Sequence, residues 1–79
     1  MTEPDVYTFL AQVFREVFGR DVTPSPEMTA RDVTGWDSFA QISIIVAVEE
    51  KFTIEFTTRE LNELKNVGSF VEIIMSKIK

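Results

Sequence analysis

The sequence predicts an all-α fold, a four-helix bundle with a long first loop and a short third helix. Apolar residues recur at three-and-four spacing over most of the chain, and the gaps between those runs hold residues that start and stop helices. Ile54 and Phe56 alternate briefly with polar residues, a stretch too short to argue for a strand.

Val6, Phe9, Leu10, Val13, Phe14, Val17 and Phe18 keep helical spacing. Pro4 suits a first turn and Gly19 a C-terminal stop, so the first helix covers about 4–18. From Gly19 to Trp36 the periodicity stops, giving a connection longer than most loops in compact domains. Thr23-Pro24 and Ser25-Pro26 read as rigid turn elements rather than modification sites, while Met28 and Val33 are expected to pin the loop to the core.

A second helix over about 38–52 carries two apolar faces when its residues are set about 100° apart. Ile44, Ile45, Val48 and Phe52 form one. Phe39, Ile42 and Val46 form a stripe on roughly the opposite side, beginning beside Ser38 and flanked by Glu49 and Glu50. A helix that is apolar all round is usually buried, but carboxylates along the second stripe favour an outward surface that meets a partner.

Thr57-Thr58-Arg59-Glu60 matches a capping box, with Phe56 and Leu61 at the spacing of a hydrophobic staple, so a short third helix runs over about 58–64. Asn66 can cap a last helix carrying Val67, Phe70, Val71, Ile74 and Ile78, with Lys77 and Lys79 near its negative end.

The 79 residues suit one domain, spanning 1–79, and an apolar share of 44% suits a compact globule rather than a disordered segment. The chain has no cysteine and no histidine, which removes disulfides, thiolate metal sites, the commonest zinc ligand, the commonest general base and the Ser-His-Asp and Cys-His arrangements. Thirteen acids against eight bases give a net charge of −5, which repels nucleic acid and anionic lipid and favours basic partner surfaces. No apolar run approaches membrane-spanning length, and Met1-Thr2-Glu3-Pro4-Asp5 has no signal-peptide character; a cytoplasmic monomer is the expectation.

Within this frame Gly35-Trp36-Asp37-Ser38-Phe39 stands out, because it sets a hydroxyl at the mouth of the second helix. Unpaired N–H groups and the positive end of the helix dipole favour an anion there, including a phosphate bonded to that hydroxyl. Ser38 is therefore a candidate attachment point. Capping is the competing reading: Ser38-Phe39-Ala40-Gln41 fits a capping box and Asp37 could cap instead, which would leave a small helical protein-interaction domain without a prosthetic group. Direct catalysis at Ser38 would require a base and an oxyanion site, so Ser38 reads as a substrate of modification and the chain as no enzyme.

These residues resemble the acyl carrier proteins and their peptidyl and aminoacyl carrier relatives. Asp37-Ser38-Phe39 stands where the family has Asp-Ser-Leu, and Ala47-Val48-Glu49-Glu50-Lys51-Phe52 where it has an Ala-Leu-Glu-Glu-x-Phe-like run. Glu55-Phe56-Thr57 is similar to the family's entry to helix three, and Val67 opens the last helix as a family valine does. The resemblance implies a bundle of the acyl-carrier type whose Ser38 receives 4′-phosphopantetheine from coenzyme A, installed by a magnesium-dependent phosphopantetheinyl transferase. The arm would supply the thiol that the chain lacks. The resemblance also implies that Asp37 faces the transferase, that Phe39, Ile42, Val46, Glu49 and Glu50 meet partners, and that Ile44, Val48, Phe52 and Leu64 shelter cargo. An acyl- or aminoacyl-loading ligase and downstream biosynthetic enzymes are the further partners. The family's fatty-acid-synthesis members usually carry acids at the positions of Ala40 and Ser43, leucine at Phe39 and a small residue at Trp36. These departures suggest a dedicated carrier of a specialised pathway, such as polyketide, aminoacyl or surface-molecule assembly, with a thinned acidic face on helix two.

Overall fold

The structure, a computed structural model, describes residues 2–78. Met1 and Lys79, the latter expected at the end of the last helix, lie outside the described residues. The described chain is all-helical: α1 (Glu3–Phe18), a 3-10 turn (Ala30–Asp32), α2 (Ser38–Phe52), α3 (Thr58–Asn62) and α4 (Val67–Ile78).

Thr2 starts α1. Its N–H donates to Asp5 Oδ2 at 2.9 Å while its hydroxyl accepts from Asp5 N at 3.4 Å, a reciprocal box that satisfies otherwise unpaired groups. Val6, Leu10, Val13 and Phe14 are buried at helical spacing, giving α1 one core-facing stripe. Gly19 ends the helix at φ 69°, its N–H donating to the Arg15 carbonyl at 2.9 Å.

The first loop is anchored at both ends of its course. Val33 is buried and Met28 packs against the core, as their apolar character predicts. Met28 N–H donates to Ser25 O at 3.1 Å, closing a turn across Pro26 and Glu27. The loop then serves as a cap. Val67 N–H donates to Met28 O at 2.8 Å and Gly68 N–H to Pro26 O at 3.0 Å, so loop carbonyls occupy the mouth of α4. Asn66 adds the side-chain cap expected of it, Oδ1 accepting from Ser69 N at 2.8 Å.

α1 packs against both α2 and α4, and their buried faces meet in a core that includes Phe14, Leu10, Ile44, Ile74, Val48 and Val71. α2 ends at Thr53, which adopts the left-handed conformation at φ 55°. α3 stops at Asn62 rather than near residue 64, because Glu63 and Leu64 N–H groups bond to Glu60 and Leu61 carbonyls in tighter three-residue steps. Its capping box forms as read from the sequence: Thr57 N donates to Glu60 Oε1 at 2.9 Å, and Glu60 N to Thr57 Oγ1 at 3.1 Å. Glu60 Oε1 also meets Lys77 Nζ at 2.9 Å, tying α3 to the last turn of α4.

Candidate functional site

Asp37 is the cap of α2. Its Oδ1 accepts from Ala40 N at 2.9 Å and its backbone carbonyl from Gln41 N at 3.0 Å, which makes Ser38 the first helical residue. This settles the choice between the two candidate caps: Ser38 is not the capping residue, and the Ser38-to-Gln41 capping box does not form. Ser38 is exposed, with a hydroxyl free of that task. Among the described residues no protein acceptor meets the N–H of Ser38 or Phe39. A helix mouth with free N–H groups, its dipole and an accessible hydroxyl is chemically suited to hold a phosphodiester on that serine.

Several contacts hold the approach to Ser38. Gly35 sits at φ 92°, a backbone conformation that favours glycine, and Arg20 braces the preceding carbonyl, its Nη2 donating to Thr34 O at 2.8 Å. Trp36 packs edge-on to Phe14 with ring centroids 5.3 Å apart and lies 5.7 Å from Phe18. Its Nε1–H donates to Gln41 Oε1 at 2.7 Å. Ser38 is thus bracketed by a side-chain bond from the residue two before it to the residue three after it.

A cleft of ≈ 640 Å³ opens beside Ser38 and runs between the first loop, α2, α3 and the start of α4. Asp37, Ser38 and Gln41 line it together with the apolar Ile45, Leu64 and Phe70. An attached flexible group therefore has an apolar channel next to its point of attachment. Of the residues expected to shelter cargo, Ile44 and Leu64 line this cleft, whereas Val48 is wholly buried in the core and Phe52 packs against Phe9 at 5.4 Å.

The two faces of α2 differ in exposure, although Ile45 and Phe52 of the inner face are half-buried and Ile42 of the outer stripe lines the cleft beside Ile44 and Ile45. Ile44 and Val48 are 1% and 0% exposed, whereas Phe39, Ile42 and Val46 are 78%, 61% and 43% exposed. Glu50 is exposed and Glu49 half-buried. Glu49 has a structural task that sequence reasoning missed: its Oε2 accepts from Phe56 N at 2.9 Å, holding the α2–α3 connection. Ala40 requires a correction. It is 5% exposed and belongs to the core-facing row Ala40, Ile44, Val48, so it is not a vacancy in an outward acidic face. The i, i+4, i+8 spacing of those residues carried that signal. Ser43 is half-buried, its hydroxyl donating to Phe39 O at 3.1 Å. Gln41 was also missed as a site residue, because its bond to Trp36 joins side chains whose pairing no periodicity reveals.

An exposed serine that opens a helix, a capping aspartate before it, an apolar cleft beside it and an apolar outer stripe define a small helical carrier domain. A family profile described as "Phosphopantetheine attachment site" matches residues 8–74. The acyl carrier protein of Acidothermus cellulolyticus is 32% identical over 75 residues, covering 94% of this chain and 89% of the relative. That of Myxococcus xanthus is 28% identical over 74 residues, covering 92% of this chain and 94% of the relative. The solution structure of holo acyl carrier protein from Geobacter metallireducens superposes with a TM-score of 0.84 at 34% identity, over 91% of this chain and 84% of that one. The chain belongs to the acyl carrier protein family, whose members bear phosphopantetheine and carry rather than catalyse.

Proposed function

We propose that Ser38 is the phosphopantetheine attachment site and that the chain, a cytoplasmic monomer, carries acyl or aminoacyl intermediates as thioesters on an arm derived from coenzyme A. The observation that carries this reading is the division of labour at the start of α2. Asp37 performs the capping, which leaves the exposed Ser38 hydroxyl available beside the cleft. The arm supplies the sulfur for the thioester, since the chain has no cysteine. A phosphopantetheinyl transferase attaches it, a ligase loads it, and downstream biosynthetic enzymes read the stripe Phe39, Ile42, Val46 with Glu49 and Glu50 at its end.

That stripe also supports a dedicated pathway. Its outward residues near Ser38 are apolar, so recognition there rests on shape and apolar contact more than on the charge steering that a dense acidic helix gives. The test is to compare transfer to this chain by generic fatty-acid-synthesis enzymes and by acyl- and aminoacyl-loading ligases of specialised pathways, at low and high salt. Preferential, weakly salt-dependent use by one of these ligases is expected; equal use by the generic enzymes would remove the case for a dedicated role.

A further inference from the structure

We propose that Gln41 binds the arm: its side-chain NH₂ group donates to an oxygen of the phosphopantetheine attached at Ser38, and Trp36 sets it in that orientation. This rests on the reading of Ser38 as the attachment site.

The indole Nε1 can only donate a hydrogen bond, so the amide atom that meets it at 2.7 Å is the oxygen. The orientation of the Gln41 amide is therefore fixed, and its NH₂ occupies the branch turned away from the indole. Trp36 cannot readily swing, because its ring is wedged against Phe14 at 5.3 Å and Phe18 at 5.7 Å. Gln41 lies three residues after Ser38, hence on the same face of α2, and Trp36, Ser38 and Gln41 all line one cleft. An arm leaving the Ser38 oxygen toward that cleft passes this amide.

What the amide offers is specific. With the oxygen committed to Trp36, the donors remain, and their complement is an oxygen acceptor. Phosphopantetheine has such acceptors in its phosphate oxygens and its amide carbonyls. A glutamate at position 41 would accept equally well from Trp36, yet it would offer no donor and would repel the phosphate. The amide is held before the arm arrives, so little side-chain entropy is lost when it bonds.

The test uses the full chain converted to the holo form, with nuclear magnetic resonance as the readout. Intact mass first establishes that wild type, Gln41→Glu and Trp36→Phe each bear one arm; a wild type that accepts none overturns the reading of Ser38 itself. In loaded wild type the Gln41 side-chain NH₂ resonances are expected to shift from their apo positions and to show cross-relaxation with arm protons. In Gln41→Glu those contacts are lost and the arm gains mobility, while the Trp36 indole N–H stays at its hydrogen-bonded shift, which shows that its bond to position 41 and the fold persist. In Trp36→Phe the amide loses its fixed orientation and the contacts weaken. A change of the phosphorus resonance between wild type and Gln41→Glu assigns the bond to the phosphate; a change confined to the arm's amide signals assigns it to a carbonyl. If the loaded arm is as mobile in wild type as in Gln41→Glu, with no contact to Gln41, the proposal is wrong although Ser38 carries the arm.

Discussion

Gly68 donates its N–H to the carbonyl of Pro26 at 3.0 Å, and a Cβ at position 68 would stand 3.0 Å from that same oxygen and 3.3 Å from Pro26 Cα. The first loop can cap α4 because the helix has no side chain there. A glycine inside a helix ordinarily costs about 0.5–1 kcal/mol against alanine, so on propensity alone Gly68→Ala would stabilise the protein.

The contact reverses that sign. The crowded atoms are backbone, and Pro26 and Met28 also hold the mouth of α4, so the loop must retreat and lengthen those bonds. Gly68→Ala is expected to lose about 1 kcal/mol net, measured as a lower denaturant midpoint with an unchanged slope. An increase in stability would show that the loop yields freely.

The faces of α2 differ in what they sustain. Ile44→Ala is expected to cost about 2–5 kcal/mol by opening a cavity in the core. Phe39→Ala and Val46→Glu should leave the denaturant midpoint nearly unchanged and slow loading or transfer, since their side chains lie outside the core. If Val46→Glu unfolds the protein as severely as Ile44→Ala, the outer stripe is a buried face.

Thr53 is a β-branched residue in the left-handed region, at φ 55°. Thr53→Gly relieves the clash of Cβ with the backbone and should raise stability by about 1 kcal/mol, read from thermal and denaturant unfolding. A loss would show that the threonine side chain makes a compensating contact.

The backbone N–H of Thr57, and then Lys77, hold the Glu60 carboxyl below its ordinary pKa. A group depressed in the folded state adds stability above its unfolded pKa, and that contribution fades as pH falls through the folded one. The melting temperature should therefore drop as pH falls below the ordinary carboxylate range. In Glu60→Gln this acid loss should be shallower over that interval; identical acid profiles would show that neither the α3 cap at Thr57 nor the pair with Lys77 depends on the charge.

Much of this molecule is legible in its sequence, for identifiable reasons. α1 and α4 announce themselves through a single apolar stripe, and Thr57 and Glu60 through a local motif whose partners are three residues apart. The two faces of α2 are readable because helical geometry sets Phe39 and Ile42 apart from Ile44 and Val48, and the carboxylates Glu49 and Glu50 mark which stripe faces outward. The Ser38 environment is only half readable. Asp37 and Ser38 are adjacent and both can cap, so the choice between them depends on backbone placement. The bonds from Trp36 to Gln41, Glu49 to Phe56 and Gly68 to Pro26 join groups across turns or between elements, where periodicity carries no information. Ala40 was misplaced for another reason: alignment with acidic family positions outweighed its spacing from Ile44 and Val48.

The most direct test of Ser38 as the attachment site is a peptide-resolved mass spectrum after incubating wild type and Ser38→Ala with coenzyme A, magnesium and a broad-specificity transferase. Wild type is expected to gain one phosphopantetheine, localised to Ser38 and to no other serine, and Ser38→Ala none, with a circular dichroism that remains helical. A folded wild type that stays unmodified with several transferases, or an arm found at another residue, would contradict that assignment.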